Sequence, residues 1–162
     1  TNGKYLEMTT WGLKFSWAKE DFRPLHNARL EGIDTKVSFK KLIVNSRAII
    51  PCSGYYEWKK TENKKIPYYF TKVDDQDIFL AGMHDNGQFC VITKNAEKNV
   101  ADIHHRQPVI IQKSQINNYF NLNNSAVDFL NSVNPPKLKF FEISTAVNNP
   151  AKNDPSIIIP IK

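Results

Sequence analysis

The sequence predicts an α+β fold: a β-rich, mainly antiparallel sheet with flanking helices. Three observations carry this expectation. Short apolar or aromatic segments recur along the chain, punctuated by Gly, Asn-Gly and Pro, the pattern of strands joined by tight turns. Helical pieces are fewer, and they are short. They do not alternate regularly with the strands, so there is no βαβ rhythm and no reason to expect a parallel sheet.

Taken in order, residues 38–43 read either as a short helix or as a strand entry, and residues 42–50 alternate or run apolar. Residues 54–58 and 67–73 are aromatic strands, and the charge run KKTENKK at 59–65 between them reads as a solvated hairpin loop. Residues 78–83 and 89–93 are two more strands, joined at Asp85-Asn86-Gly87, where Asn and Gly supply the positive φ that a tight hairpin needs. Residues 96–103 read as a helix with Val100 and Ile103 on one face, and residues 109–111 as a strand. Residues 114–120 and 125–133 read as two further helices. Ser125 caps the second, Asp128 takes the capping-box position, and Pro135-Pro136 stops it.

At 162 residues the chain suits one well-cored domain, and residues 1–162 read as a single one, without repeats, low-complexity stretches or linkers. A content of 41% hydrophobic and 23% charged residues argues against disorder. No apolar run approaches bilayer length, and Thr1-Asn2-Gly3-Lys4 lacks the apolar core of a signal peptide. The absent initiator Met leaves room for residues upstream. A net charge of +6 favours a polyanionic partner. Cys52 and Cys90 make no disulfide framework, which points to a reducing cytoplasm and to buried core thiols. A monomer without cofactor or metal is expected.

Several constellations could carry chemistry. Asn27-Ala28-Arg29 follows Pro24 in a loop; it is either a turn residue beside a surface charge or an amide held near a guanidinium to orient a carbonyl beside a phosphate. In Ser53-Gly54-Tyr55-Tyr56-Glu57-Trp58, strand alternation sets Tyr55 and Glu57 on one face and Tyr56 and Trp58 on the other. If Tyr56 and Trp58 pack in the core, Glu57 is either an edge carboxylate in water or a desolvated group with a raised pKa, suited to proton transfer. In the run His104-His105-Arg106-Gln107-Pro108, adjacent histidines point different ways, which disfavours a shared metal. One His as acid–base group beside one Arg as anion contact is better chemistry, and a polar turn closed by Pro108 explains the residues equally well. Trp11 and Trp17 are stacking platforms if exposed, and one of them is expected in the core.

In this order the pieces resemble the SOS-response-associated peptidase (SRAP) family. The matching residues are Trp11-Gly12-Leu13 and Trp17-Ala18, Asn27-Ala28-Arg29 with Glu31, and Pro51 with Gly54-Tyr55-Tyr56-Glu57-Trp58. Ala81-Gly82, Thr93, Ile103-His104 with Arg106 and Pro108, Val147-Asn148 and Asn153-Asp154 complete the series. The resemblance implies a barrel-like sheet and a role in guarding abasic sites in single-stranded DNA. An N-terminal Cys, exposed by removal of the initiator Met, would condense with the ring-opened sugar aldehyde to a thiazolidine. Carried over, Asn27 would orient nucleophile and sugar, Glu57 would shuttle protons, and His104 would serve ring opening and reversal. Arg29 and Arg106 would hold phosphates, and Trp17 would stack on a base.

The chain departs from the family pattern at Gln107, where Met is usual, and at Cys52, where a small residue is usual. The family's opening Met-Cys-Gly-Arg segment is also absent from the 162 residues. An internal Cys has its amine in a peptide bond and cannot replace a terminal one. Two functions of one fold remain: a peptidase that processes its own terminus and crosslinks to abasic sites, or a non-covalent single-stranded-DNA-binding module. A metal-dependent hydrolase using Glu57, His84 and His104 is a third reading, without support from ligand spacing.

Overall fold

The computed structural model describes residues 5–161; Thr1-Asn2-Gly3-Lys4, read above for a signal peptide, lies outside them. The elements follow in chain order: β1 (Thr10–Trp11), β2 (Asn27–Arg29), α1 (Leu42–Asn45), β3 (Arg47–Cys52), β4 (Tyr55–Lys60), β5 (Lys65–Lys72), β6 (Ile78–Asp85) and β7 (Gln88–Asn95). After a 3₁₀ turn (Lys98–Asp102) come β8 (Arg106–Pro108), β9 (Ile110–Ile111), α2 (Ile116–Phe120), α3 (Ala126–Ser132) and β10 (Leu138–Glu142). The chain is thus α+β with mostly antiparallel pairing; only β1 and β2 run parallel to their partner, β7. The stretch read as a helix at 96–103 is the 3₁₀ turn, and residues 42–50 divide into α1 and β3.

One sheet runs β1-β7-β6-β3, with β2 and β8 also on β7 and β9 on β6; the other is β10-β5-β4. Neither sheet closes on itself, so the barrel implied by the family resemblance is an open, two-sheet arrangement. The reason lies at the β6–β7 hairpin. Its tip pairs tightly, from Gly82↔Val91 to Asp85↔Gln88, with Asn86 and Gly87 at φ 47° and 71° as a two-residue turn requires. Beyond Gly82 the two strands splay, and residues 106–111 enter the gap. There β8 pairs with β7 and β9 with β6, while Val109 bonds to both sides, donating to the Ile92 carbonyl at 2.8 Å and accepting from the Ala81 N–H at 2.8 Å.

Strand alternation distributes the core. Ala81, Met83, Cys90 and Ile92 face Leu13, Phe15, Ile33, Phe39, Tyr119 and Leu130 on the helical side. Ile78, Leu80, Val91 and Ile110 face the other way, where Tyr55 and Leu138 of the small sheet pack on them. The chain passes from one sheet to the other at Ser53-Gly54. A Cβ on Gly54 would lie 2.4 Å from the Phe70 carbonyl and from the Tyr69 ring, so only glycine fits. Thr71 Oγ1 donates to the Ser53 carbonyl at 2.9 Å and fixes the corner. This corner aims β4, and with it Glu57.

The hairpin expected at 59–65 forms with a shorter loop, since Lys59, Lys60 and Lys65 belong to the paired strands; Thr61 Oγ1 closes it by donating to the Lys64 carbonyl at 2.9 Å, and Ser125 Oγ accepts the Asp128 N–H at 3.2 Å as the cap of α3. No described helix is long and apolar enough to cross a membrane. The tryptophan expectation fails: Trp11 and Trp17 are both on the surface, 52% and 61% exposed. Trp17 stacks on Phe15 at 5.0 Å and meets Phe22 edge-on, so its inner ring face satisfies the aromatic cluster while the outer face stays free. Burial raises both thiols, Cys52 to about 11 and Cys90 to about 12, which keeps them protonated near neutral pH.

Candidate active site

β4 is the edge strand of the small sheet, and its burial differs from the arrangement considered above. Tyr55, not Tyr56 or Trp58, faces the apolar space between the sheets, stacked on Phe70 at 4.9 Å. Glu57, two residues on, shares that face and is drawn out of water. Tyr56 leans on Tyr69 at 5.5 Å, and Trp58 Nε1 donates to Asn148 Oδ1 at 2.8 Å, tying β4 to the 3₁₀ turn Thr145–Asn148.

The His104 ring meets Glu57 at this edge, with Nδ1 3.4 Å from Oε2. Burial raises the Glu57 pKa above the ordinary carboxylate range, and the nearby His104 and the Trp58 backbone N–H pull it partly back. His104 Nδ1 also lies 3.3 Å from the Arg106 N–H and 3.1 Å from the Arg106 carbonyl. A bare Nδ1 accepts the N–H; a protonated one donates to the carbonyl or to Glu57. Nδ1 therefore has a partner within reach in either tautomer. Next to this pair the Tyr55 hydroxyl is buried without a hydrogen-bond partner, and burial, followed by the Glu57 charge, raises its pKa.

Glu57 and His104 line a cleft of about 590 Å³ together with Trp58, Lys60, Lys65, His105 and Asn148. His105 does not point away as adjacency suggested: its ring centroid is 4.5 Å from that of His104. Residue spacing gave no sign of Lys60, Lys65 or His105 at this place. A hairpin register drawn from Trp58 would have found the two lysines.

Asn27 and Arg29 are exposed on β2, flanking the buried Ala28, and do not line this cleft. At Thr93, β2 and β8 flank β7 on its two sides, roughly 10 Å apart, and the cleft residues His104 and His105 lie in the segment before β8. Arg106 is only 12% exposed in its side chain. Its guanidinium donates to both Glu31 oxygens at 3.0 and 2.8 Å, to Asn95 Oδ1 at 2.6 Å and to the Thr93 carbonyl at 2.7 Å. The pairing holds the Glu31 carboxyl at about 2. It also ties the turn after β2 to the start of β8. Among the described residues Arg29 has no ion-pair partner. Trp17 is on the separate aromatic cluster with Phe15 and Phe22. Among the described residues no three His, Cys, Asp or Glu side chains gather as a metal site, and His84 lines a different cavity, with Arg47 and Phe89.

The raised Glu57 pKa has a consequence for stability. A carboxyl whose pKa is higher folded than unfolded binds more protons in the folded state over the interval between the two values. Stability from this group therefore falls as pH rises from the ordinary 4.5 through the raised value. Glu57→Gln should raise the melting temperature at pH 7, and the gain should vanish below about pH 4, where the wild-type carboxyl is protonated in both states. Melting curves across pH check this; a Gln variant less stable than wild type at pH 7 would show that the His104 pairing outweighs the burial.

The model of the family described as SOS response associated peptidase (SRAP) matches residues 1–150. The abasic site processing protein YoqW of Bacillus subtilis is 32% identical over 165 residues, covering 91% of this chain and 73% of that protein. YedK of Escherichia coli, also an abasic site processing protein, is 35% identical over 115 residues, 66% of this chain and 51% of that protein. Among solved structures, a Bacteroides thetaiotaomicron protein superposes with a TM-score of 0.78 at 25% identity, over 94% of this chain and 75% of that one.

Proposed function

The chain belongs to the SRAP family, and from that premise we propose that it is a DNA-damage-response enzyme acting on abasic sites in single-stranded DNA. The observation that carries the reading is the Glu57–His104 pair: a desolvated carboxyl 3.4 Å from an imidazole, at the edge of an open cleft. The chemistry needs such a pair. An abasic sugar opens to an aldehyde, and an amino-terminal amine adds to it and expels water. Glu57 removes the ammonium proton and returns one to the departing hydroxyl. When the terminal residue is Cys, its thiolate adds to the imine carbon and closes a thiazolidine. His104 serves ring opening and reversal. Asn27 orients the sugar, as an amide on the strand that Glu31 and Arg106 bind to β8. The same groups serve hydrolysis at the protein's own amino terminus.

Phosphates and bases are held around this centre. Arg29 is exposed and in no ion pair among the described residues, and Trp17 offers one open ring face. Arg106 reaches a phosphate only by sharing its guanidinium with Glu31. The domain works as a single unit and as a monomer, within the cytoplasm.

The test is a denaturing gel with labelled single-stranded oligonucleotide bearing one abasic site. A polypeptide beginning at Thr1 should bind reversibly and leave no heat-stable band, because it presents no terminal thiol. A polypeptide in which a Met-Cys-initiated segment precedes this chain should crosslink. No band from the Cys-bearing protein would favour the second reading, a non-covalent single-stranded-DNA-binding module. A robust band from the Thr1 polypeptide would refute the nucleophile assignment.

A further inference from the structure

We propose that Lys60 and Lys65 form a phosphate subsite for the strand entering the Glu57–His104 cleft, a binding site at the base of the 59–65 hairpin. The inference rests on the reading above only in naming the ligand as single-stranded DNA. Four observations support it. Lys60 and Lys65 are direct cross-strand partners in the β4–β5 register. Both line the cleft with Glu57, His104 and Trp58. Among the described residues neither takes part in any ion pair, although four of the hairpin's seven residues are lysines and one is a glutamate. The turn itself is held shut, with the Thr61 N–H and Oγ1 both donating to the Lys64 carbonyl at 2.9 Å, so the two ammonium groups sit on an ordered ladder.

Like charges directly opposite one another on a sheet destabilise it. A lysine pair at that register, on the wall of a cleft and with no carboxylate paired to it among the described residues, is the arrangement an anion resolves. A phosphodiester fits better than a small carboxylate. Trp58 lies two residues before Lys60 on the same strand face, so an aromatic ring and a pair of cations follow one another along the cleft. That alternation suits a single strand, whose bases stack while its phosphates seek cations. The pair lies roughly 10 Å along β4 from Glu57, which assigns it to a neighbouring nucleotide and not to the reacting sugar.

The experiment uses the full chain and an unmodified fluorescent oligothymidylate of about ten nucleotides, read by anisotropy over a series of salt concentrations. Replacing both lysines (K60Q/K65Q) should reduce the slope of log affinity against log salt by about 1.4, and should weaken binding on the order of tenfold or more at 0.1 M salt. K64Q, in the turn and outside the cleft, should change both much less. Without DNA, K60Q alone should melt roughly 1–3 °C higher than wild type, because the opposed charges are gone. Inorganic phosphate at millimolar concentration should compete weakly, which separates a strand site from a free-anion site; competition as strong as that of the oligonucleotide would overturn the assignment to DNA. An unchanged salt slope in K60Q/K65Q, or an equal loss in K64Q, would also overturn it. Wild type that fails to bind at low salt would sink both the subsite and the DNA reading. Loss of abasic-site crosslinking with the lysine effect intact would sink the processing reading alone.

Discussion

Glu57→Gln, in a polypeptide carrying an amino-terminal Cys ahead of this chain, is expected to slow crosslinking to an abasic site by about 10²- to 10⁴-fold, the range a positioned proton-transfer group supplies. Gln is isosteric and keeps a hydrogen-bond acceptor within reach of His104, so the fold and the approach of the strand stay as they are. On the proposed mechanism the variant loses only the ability to take a proton from the ammonium and return it to the leaving hydroxyl. Two further readouts separate this from a binding defect. Affinity for the abasic oligonucleotide should change little, whereas Arg29→Ala should weaken affinity and leave the single-turnover rate of the bound complex near wild type. The pH–rate profile should also lose its acid limb, because the raised Glu57 pKa sets the point below which the carboxyl is protonated and useless as a base. A Gln variant that crosslinks within a few-fold of wild type at saturating DNA would remove Glu57 from the chemistry.

The parts of the fold legible in the sequence are those fixed by local rules. Asn86-Gly87 could only be a tight hairpin, since both positions take positive φ. Ser125 and Asp128 marked the start of α3 within one residue. The aromatic alternation on either side of 59–65 gave β4 and β5 together with their turn. What stayed illegible depends on contacts between distant segments. Nothing near Gly82 announces that the β6–β7 hairpin splays to admit residues 106–111, because the cause is the arrival of another strand. Trp11 and Trp17 were misjudged for a related reason. Residue type predicts an average burial, whereas the neighbours Phe15 and Phe22 decide which ring face is covered.

The candidate site divides in the same way. Strand alternation put Tyr55 and Glu57 on one face, but it could not say which face of β4 was turned inward. Spacing alone offers no reason for Glu57 to meet a histidine 47 residues later; only the family resemblance put the two in one cleft. The Glu31–Arg106 contact spans 75 residues, and its effect is to bind the turn after β2 to the start of β8, two residues beyond His104.

Arg47 shows how far long-range contacts can hide a residue, and its replacement should produce the largest loss of stability in the molecule. It opens β3, is 6% exposed, and has no carboxylate near it among the described residues. Its guanidinium instead donates to four carbonyls: Nε to Ile43 at 2.9 Å, Nη1 to Tyr119 at 2.8 Å and Asn121 at 2.9 Å, and Nη2 to Asn124 at 2.9 Å. These are orphan acceptors at the C-terminal ends of α1 and α2 and in the loop that follows, and the positive charge suits the negative end of each helix. The Tyr119 ring lies against the same group, 5.9 Å from its central carbon. Burial lowers the guanidinium pKa, but it stays charged at any pH the fold survives. Arg47→Met keeps the length and loses every donor. Each buried carbonyl left unpaired costs about 1–3 kcal/mol, and water can recover some of them, so the variant should lose about 3 kcal/mol or more of a total that rarely exceeds about 15 kcal/mol. Arg47→Lys should recover little, because a single ammonium cannot span four acceptors arranged for a planar fork. Chemical denaturation read by circular dichroism gives both values. A Lys variant within about 0.5 kcal/mol of wild type would mean that the charge, not the fork, holds the helices to β3. Because β3 leads through the Ser53-Gly54 corner into β4, the Met variant should also lose DNA affinity before it unfolds globally, as the strand that carries Glu57, Trp58 and Lys60 loosens.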